Sequence, residues 1–277
     1  MILDGKKIAS EIYEDLRSQI IWLTKQPVLW AILVWDSPES LRYIHQKQKF
    51  AQKIGMGFEL FQFEQDISEQ QLKMEVISLN NNENISGYII QLPLPDHINS
   101  IKIIRNIDPR KDVDGFHTEN LGKIMIGDTT GFAPCTPAWV MSILQSYDID
   151  LTGKNIVTIG QSNIVGKPMA QMCINAWATV TSCNHLTPDI SLYTKQADII
   201  ISATWCVWLI TPDIVRHDAV IIDVWFSVVD SKIYWDAQYE ELFAQWNTIT
   251  PVPGWVGPMT VAMLLSNTLL AHRSLHD

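Results

Sequence analysis

The sequence has few basic residues, and this scarcity excludes one class of partner. Lysine and arginine number 20 against 30 aspartates and glutamates, which gives a formal net charge of −10. A protein that binds nucleic acid needs a basic face to neutralise phosphates, so we expect no nucleic-acid partner. Long apolar runs are also missing: none reaches about 18 residues, and the opening MILDGKKIAS has no signal-peptide core. We therefore expect a cytoplasmic protein with no membrane partner.

Cysteine and glycine are scarce as well. Cys135, Cys173, Cys183 and Cys206 show no C-x-x-C spacing, which argues against a metal site and against a disulfide framework. We expect them to be small buried hydrophobic residues in a reducing compartment. Glycine occurs only 13 times, where an average share of about 7% would give roughly 19, whereas tryptophan occurs 11 times.

What the chain does have is a strand, glycine turn and helix pattern at residues 155–170, NIVTIGQSNIVGKPMA. The apolar run Ile156–Ile159 leads into Gly160, a polar turn follows, and Gly166 opens a predicted helix. This layout points backbone N–H groups and a helix N-terminus at a phosphate. The two glycines are six residues apart, unlike the G-x-G-x-x-G spacing, so a plain strand-to-helix connection remains the alternative.

The residues that follow indicate a doubly wound sheet. Further apolar runs lie at 178–181, 198–202 and 219–223, with helix-length intervals between them. Buried strands that alternate with helices are typical of a parallel sheet, which binds a dinucleotide at the carboxyl ends of its strands. With 277 residues, 47% of them hydrophobic, the chain is long enough for two domains of the α/β class.

The remaining elements are also predicted from periodicity and from turn residues. The predicted helices cover residues 4–24, 37–54, 69–80 and 259–272, and a further helix follows Pro134–Pro137 and runs to about residue 145. The predicted strands before the glycine turn cover residues 28–34, 58–63 and 85–92.

The helix predicted over residues 37–54 carries the first candidate chemistry. Tyr43, Lys47, Phe50 and Ile54 fall on one stripe of this helix. A lysine on an apolar stripe either extends its ammonium group to water or lies in a pocket where lost hydration lowers its pKa. Both interpretations remain open. The second one is retained because the phenol of Tyr43 lies one helical turn away.

Two polar positions further along are candidates for a site. Gln91 ends a predicted strand directly before two closely spaced prolines, and the carboxyl end of a strand is where α/β sites gather. Asp112 and Asp114 lie two apart in a polar loop. Metal binding would need more ligands nearby, so we expect no metal site.

Six motifs occur together and in order, and they carry a family resemblance. The chain resembles the bifunctional methylenetetrahydrofolate dehydrogenase/methenyltetrahydrofolate cyclohydrolase family over nearly its whole length. The motifs are Tyr43-x-x-x-Lys47, Gln91–Pro95, Lys111–Phe116, Pro134–Pro137, Gly160–Pro168 and Pro251–Thr260.

The resemblance implies two consecutive reactions in one-carbon metabolism. 5,10-Methylenetetrahydrofolate is oxidised to the methenyl compound with NADP or NAD, and this product is hydrolysed to 10-formyltetrahydrofolate. The implied architecture is an α/β folate-binding domain at residues 1–117 and a Rossmann-like, doubly wound parallel-sheet domain at 118–258. A C-terminal helix at 259–277 returns to the first domain. The active site would lie in a cleft between the domains, and tetrahydrofolate substrates and a second copy in a homodimer would be the partners.

The resemblance also implies roles for single residues. Lys47 matches the catalytic lysine, Tyr43 a tyrosine that packs on the folate, Gln91 a glutamine that tunes the lysine, and Asp114 an aspartate that holds the pterin.

The other matches concern the cofactor and the far side of the substrate. The cofactor-binding positions are Gly160, Gln161, Ser162 and Phe226. Phe226 stands where the family has a residue against the nicotinamide. Matches to a substrate-side loop are Pro253, Gly254 and Gly257.

The chain departs from the family at the positions that recognise the 2′-phosphate of NADP. Gln161 stands where NADP-using members carry arginine, and His185 and Leu186 stand where they carry a serine and a basic residue. We therefore expect a weakened preference for NADP, with NAD accepted comparably or better. Another cation, Lys167 or Lys195, reaching the phosphate is the alternative.

A second departure concerns tryptophan, which stands where the family has glycine. Glycine at such places supplies a positive φ or a close backbone approach. Our hypothesis is that a gene whose UGA codons mean glycine was translated as though they meant tryptophan. If the tryptophans are genuine, the alternative is a catalytically impaired homologue that binds folate or partners without turnover. The positions are Trp35, Trp139, Trp177, Trp205, Trp208, Trp225, Trp235 and Trp255.

Two other dehydrogenase classes share part of the pattern. Tyr-x-x-x-Lys also marks short-chain dehydrogenases, but there it follows the dinucleotide fold, whereas here it precedes the glycine turn by more than 100 residues. Dehydrogenases of the shikimate type share the domain order and lack the Q-L-P-L-P and P-V-P-G loops.

Overall fold

The computed structural model describes residues 1–35, 37–230, 232–245, 247–251 and 256–276. The chain divides into two compact units, which we name after a feature of each. The lysine unit, which contains Lys47, comprises residues 10–123, 128–135 and 261–277. The glycine-turn unit, which contains Gly160, comprises residues 1–9, 124–127 and 136–260.

Helices and strands alternate along the described part of the chain. The α-helices are α1 (Gly5–Ile20), α2 (Pro38–Lys53), α3 (Glu69–Asn80), α4 (Ser100–Ile104), α5 (Thr118–Met125), α6 (Cys135–Ser146), α7 (Gly166–Asn175), α8 (Ser191–Thr194), α9 (Tyr239–Ala244) and α10 (Val256–His276). The strands are β1 (Val28–Val34), β2 (Gly57–Phe63), β3 (Gly87–Ile90), β4 (Asn155–Ile159), β5 (Thr179–Cys183), β6 (Ile199–Ser202), β7 (Val220–Asp223), β8 (Phe226–Val229), β9 (Lys232–Trp235) and β10 (Thr248–Ile249).

The lysine unit is built on a three-stranded parallel sheet in the order β2-β1-β3. Its core joins apolar residues of β1 and β3 to α3, with Leu72 and Val76 of that helix fully buried. The helix begins at a capping box, in which the Ser68 hydroxyl accepts from the backbone N–H of Gln71. Helix α2 begins in a similar way, because Ser37 caps it and Pro38 occupies its first turn.

The glycine-turn unit contains a five-stranded parallel sheet in the order β10-β7-β6-β4-β5. Strand β4 pairs with β5 on one side and with β6 on the other, so the chain reverses its direction of winding at β4. Ligands of open α/β sheets bind at such a switch point, outside the carboxyl ends of the strands. The parallel sheets confirm the α/β class that the alternating pattern predicts.

Several element ends differ from the predictions. The helix predicted over 4–24 ends at Ile20, and the last helix begins at Val256 instead of 259. The strand predicted over 85–92 spans only Gly87–Ile90, although the backbone N–H groups of Ser86 and Gln91 on either side of it still donate to β1. The antiparallel pair of β8 and β9 was not predicted, since polar residues break its two segments, FSVV and KIYW, into short apolar pieces. Among the described residues, no helix is both long and apolar enough to cross a membrane.

The cysteines follow the expectation with one exception. Cys135, Cys173 and Cys183 are buried, and all four are free thiols. Cys206 is exposed, contrary to the prediction, because it lies in the irregular segment after β6 and outside any strand or helix.

Among the described residues, four tryptophans adopt a left-handed backbone conformation. The φ angles are 72° at Trp35, 62° at Trp177 and 56° at both Trp205 and Trp208. This region is sterically costly for any residue with a Cβ and is favoured by glycine. Trp139 is instead fully buried in α6, and Trp255 lies outside the described residues.

Candidate active site

Lys47 lies on α2 and is held by an amide. Its Nζ donates to Oε1 of Gln91 at 3.0 Å, while Nε2 of the same glutamine donates to the carbonyl of Leu92 at 2.8 Å. The second bond fixes the orientation of the amide, so that its oxygen faces the lysine. Lost hydration lowers the pKa of Lys47, and Asp114 and Cys135 partly offset this shift. The lysine therefore follows the second of the two interpretations, a site with a lowered pKa.

Asp114 is positioned by a loop that several contacts hold to the lysine unit. Nζ of Lys111 donates to the carbonyls of Asn80 and Asn82, both at 2.8 Å. The backbone N–H of Tyr88 in β3 donates to the Lys111 carbonyl at 2.9 Å. The loop thereby continues along the edge of β3, which brings Asp114 towards Gln91 beyond the end of the same strand.

The Asp114 carboxyl is shifted towards its neutral form. Burial raises its pKa to about 6, although the ammonium group of Lys47 acts in the opposite direction. The Cys135 thiol donates to Oδ1 of Asp114 at 3.7 Å and to the Val113 carbonyl at 3.6 Å. A lysine and a carboxyl group whose pKa values have moved towards neutrality are suited to proton transfer and to binding a polar heterocycle.

Tyr43 lies on α2 one turn before Lys47, with 41% of its surface exposed. The i, i+4 spacing puts both side chains on one face of the helix. An exposed aromatic ring beside a titratable lysine can cover a flat ligand. The structure therefore brings four of the predicted residues, Tyr43, Lys47, Gln91 and Asp114, into one unit.

The glycine turn of the second unit is closely packed. Gly160 has a φ of +105°, and a Cβ there would lie 2.4 Å from the Ala203 carbonyl oxygen after β6. A Cβ at Gly166 would lie 1.9 Å from the Gly160 oxygen. Oγ of Ser162 accepts from the backbone N–H of Val165 at 3.2 Å, at the start of α7. A tight glycine turn at the carboxyl end of β4, opening a helix, fits the pyrophosphate of a dinucleotide.

Uncharged side chains occupy the corner between β4 and β5. Nε2 of Gln161 donates to the carbonyl and to Oγ of Ser182, both at 3.1 Å. Nδ2 of Asn184 donates to Oε1 of Gln161 at 2.9 Å. The residue after the second strand of a Rossmann sheet normally contacts the adenosine ribose, and here that residue is Asn184. Lys167 donates from Nζ to Oδ1 of Asn163 at 2.7 Å.

The other predicted positions are less informative. Phe226 begins β8, where it pairs with Trp235, and Gly257 lies in the first turn of α10. Pro253 and Gly254 lie outside the described residues.

Sequence reasoning missed two polar features. Asn267 of α10 is buried and donates to backbone carbonyls of two separate segments. The sequence feature that could have identified it is a polar residue inside a strongly apolar helix. Asp223 and Asp236 are fully buried near the carboxyl ends of β6 and β7. The first ends an apolar strand and the second follows a short one, and neither position has a spacing that would reveal the pair.

Comparison with known proteins gives matches over both units. The family model described as "Tetrahydrofolate dehydrogenase/cyclohydrolase, catalytic domain" matches residues 3–114, and its "NAD(P)-binding domain" counterpart matches residues 134–276. The chain is 45% identical over 273 residues to the "Bifunctional protein FolD" of a Hydrogenobaculum species, and the match covers 98% of each chain.

Solved structures agree with these matches. The bifunctional enzyme FolD from Campylobacter jejuni is 43% identical, with a TM-score of 0.97 and 99% of each chain covered. The FolD of Trypanosoma brucei, solved with NADP cofactor and an inhibitor, is 30% identical with a TM-score of 0.93, and the match covers 100% of this chain and 99% of the other.

Proposed function

Since the chain belongs to the tetrahydrofolate dehydrogenase/cyclohydrolase family, we propose that it catalyses both reactions of its bifunctional relatives. It oxidises 5,10-methylenetetrahydrofolate to 5,10-methenyltetrahydrofolate with a nicotinamide cofactor and hydrolyses this product to 10-formyltetrahydrofolate. The observation that carries this proposal is the hydrogen bond from Lys47 to Gln91, beside the Asp114 carboxyl. Nothing in the matches supports a catalytically impaired homologue.

In the hydrolytic step, water adds to the methenyl carbon, and Lys47 moves the proton. The neutral amine takes a proton from the attacking water and returns it to the folate nitrogen as the carbon–nitrogen bond breaks, and the remaining hydroxyl proton leaves to solvent as the formyl carbonyl forms. Lost hydration lowers the pKa of Lys47, which raises the fraction of neutral amine at a given pH. Gln91 orients this amine without adding a negative charge that would favour the ammonium form.

In the oxidative step, the bound nicotinamide supplies the hydride acceptor, and the protein supplies position. Tyr43 packs on the folate, and Asp114 takes two hydrogen bonds from the amino-pyrimidinone edge of the pterin. The turn of Gly160 and Ser162, with the start of α7, binds the pyrophosphate.

The positions outside these two clusters complete the proposed site. The family resemblance assigns Phe226 to the nicotinamide side of the cofactor site and Pro253, Gly254 and Gly257 to the substrate side. Both assignments rest on the family motifs.

The test of this function separates the two reactions. Purified protein is assayed for reduced nicotinamide formation and, separately, for loss of the methenyl chromophore. We expect Lys47→Met to abolish hydrolysis, because no other group at this position would move the proton, while the fold survives. Lys49→Met, an exposed lysine on the same helix, is the matched control. Hydrolysis by Lys47→Met near the wild-type rate would remove this lysine from the mechanism.

We further propose that NAD is accepted as well as NADP or better. Gln161 donates to Ser182 and accepts from Asn184, so the corner that borders the adenosine ribose presents amides and a hydroxyl. A missing charge-assisted phosphate contact costs about 1.5–3 kcal/mol, or roughly 10- to 150-fold in affinity. Lys167, one alternative cation, is engaged by Asn163.

This cofactor proposal is tested by kcat/KM for both cofactors at pH 7.5. We expect Gln161→Arg to improve NADP use by about tenfold or more, because the guanidinium restores a charge-assisted contact. Gln196→Arg is the control, since it adds the same charge on an exposed residue away from the turn. A wild-type preference for NADP above about tenfold would contradict the argument.

Domain roles and assembly are part of the same proposal. We assign folate binding to residues 1–117 with the returning helix at 259–277, and cofactor binding to residues 118–258. The grouping of residues 261–277 with the lysine unit supports this. We propose a homodimer, to be measured by light scattering, and a cytoplasmic setting, with which the four free thiols agree.

A further inference from the structure

Asn267 of α10 joins the two segments that carry Asp114 and Cys135. We propose that it is a positioning residue of the active site, which fixes Asp114 in the orientation that binds the pterin. This inference rests on the proposed function, because it assigns Asp114 to the substrate.

The contacts of the Asn267 amide are specific. Its Nδ2 donates to the Val113 carbonyl at 2.9 Å and to the Ala133 carbonyl at 3.0 Å. A side-chain amide has two N–H donors, so both are used on backbone oxygens. Val113 directly precedes Asp114, and Ala133 lies two residues before Cys135. One amide therefore ties together two loops that chain connectivity alone would leave independent.

The two loops meet backbone to backbone, which explains why a bridging amide is needed. Gly115 has a φ of +74°, and a Cβ there would lie 2.7 Å from backbone atoms of Phe132, Ala133 and Pro134. No side chain fits between these segments at that point. The amide from α10 satisfies carbonyls that the close approach removes from water.

The thiol of Cys135 completes the arrangement. It donates to the Val113 carbonyl at 3.6 Å and to the Asp114 carboxylate at 3.7 Å, and it lies 4.0 Å from Nδ2 of Asn267. The amide thus fixes both ends of the contact between thiol and carboxylate. Loss of the amide would remove a donor from the Ala133 carbonyl, leave the Val113 carbonyl with the weaker thiol donor alone, and let the Asp114 loop shift relative to Lys47.

The experiment measures KM and kcat for the folate substrate in Asn267→Ala and Asn267→Asp. The second variant keeps the size of the side chain and removes both N–H donors. A shift of about 1 Å at a positioned group can cost about 100-fold, and we expect the KM for folate to rise by about 10- to 100-fold in both variants. The matched control is Thr268→Val, because that buried hydroxyl donates to the Leu264 carbonyl within the helix.

The pH profile separates positioning from a general loss of structure. A displaced, better hydrated Asp114 would ionise at lower pH. In the Asn267 variants, the rise of the folate KM in acid should therefore begin at a lower pH than in wild type. An equal KM defect at every pH, or a KM within about twofold of wild type, would overturn the inference.

If Asn267→Ala does not fold, Asn267→Ser gives the same test, because serine is smaller than asparagine and keeps one donor. Wild-type protein that catalyses neither reaction would overturn the proposed function and this inference together, whereas normal turnover in folded Asn267 variants overturns this inference alone.

Discussion

Trp177 has a backbone conformation that suits glycine. Helix α7 is capped by Ala176, and the N–H of Trp177 donates to the Ile174 carbonyl at 3.0 Å. The N–H of Ala178 donates to the Cys173 carbonyl at 3.1 Å. This pair of bonds is a Schellman motif with Trp177 at the left-handed position, where glycine is the usual residue. With 81% of its surface exposed, the indole has little packing to offset the strain.

We therefore expect Trp177→Gly to stabilise the protein. The relief of left-handed strain is worth roughly 1–2 kcal/mol, and the added chain entropy of glycine removes part of it. The expected net gain is up to about 1 kcal/mol, or roughly 2–4 °C in Tm. Trp177→Ala is the control, because it removes the indole and keeps the Cβ, so it should give little gain. A lower Tm for Trp177→Gly than for Trp177→Ala would contradict this account.

The same reasoning supports glycine at three other positions. Trp35, Trp205 and Trp208 also have positive φ angles, and all three are among the positions where the family resemblance predicts glycine. The left-handed conformations support the hypothesis that UGA codons for glycine were translated as tryptophan, which the gene sequence decides. Codons reading UGG at these positions would end it.

At the scale of single elements, the glycine turn and α7 depend on two missing side chains. The Gly160 carbonyl lies where a Cβ of Gly166 would be, and the Ala203 carbonyl lies where a Cβ of Gly160 would be. The turn, the first residues of α7 and the end of β6 thus pack through their backbones. Such packing leaves space above the turn for a pyrophosphate only while both residues remain glycine.

Gly166→Ala should therefore abolish cofactor binding or prevent this unit from folding. A Cβ at 1.9 Å from a backbone oxygen requires the turn to move, since no flexible side chain is involved. Gly122→Ala in α5 is the matched change, because a Cβ there meets nothing within 4 Å. It should stabilise the helix by about 1 kcal/mol. Calorimetric titration with NAD and thermal unfolding check both variants; undiminished NAD binding by Gly166→Ala would refute the packing argument.

Elements with clear signals were predictable to the residue. The bounds of β1 and α3 agree with their predictions at both ends, because β1 is an uninterrupted apolar run and α3 begins at a capping box. The pair of β8 and β9 gave no such signal, because its segments FSVV and KIYW contain polar residues and no continuous apolar run comparable to that of β1. Short strands are specified by their partner and not by their own period.

Residues of the candidate site were predictable where the pattern of a single segment identifies them. Lys47 and Tyr43 share a helix face that spacing alone reveals, and Gln91 lies at a strand end marked by prolines. The bridge from Asn267 to Val113 joins residues 154 apart. No local pattern encodes such a contact, because it depends on how α10 packs in the folded unit. The buried pair of Asp223 and Asp236 was missed for the same reason.

At the scale of the whole molecule, pH dependence of folding is set partly by buried carboxyl groups. Asp236 accepts hydrogen bonds from Ser202, from Thr204 and from the N–H of Cys206. Asp223 accepts from the N–H of Ala237 at 2.8 Å, and its Oδ1 has no hydrogen-bond partner among the described residues. Burial, reinforced by the negative charge of Asp236, raises the pKa of Asp223 well above its ordinary value.

The sign of the effect follows from proton linkage. As the pH rises above about 4, Asp223 ionises in the unfolded chain while the folded protein keeps its proton. The folded state then binds more protons, so Asp223 costs stability increasingly as the pH rises towards its raised pKa. In this window one proton corresponds to about 1.4 kcal/mol per pH unit.

Asp223→Asn should therefore become more stable than wild type as the pH rises from about 4 to 7. The amide has the same size, stays neutral at every pH and retains an oxygen to accept from Ala237. Asp218→Asn is the opposing control, because the Arg216 guanidinium lowers the pKa of Asp218 to about 2. Loss of the Asp218 carboxylate should reduce the stability of the folded protein above about pH 4. Urea unfolding of wild type and both variants across this range measures the differences. A constant difference between Asp223→Asn and wild type at all pH values would show that the Asp223 carboxyl keeps its ordinary pKa in the folded protein.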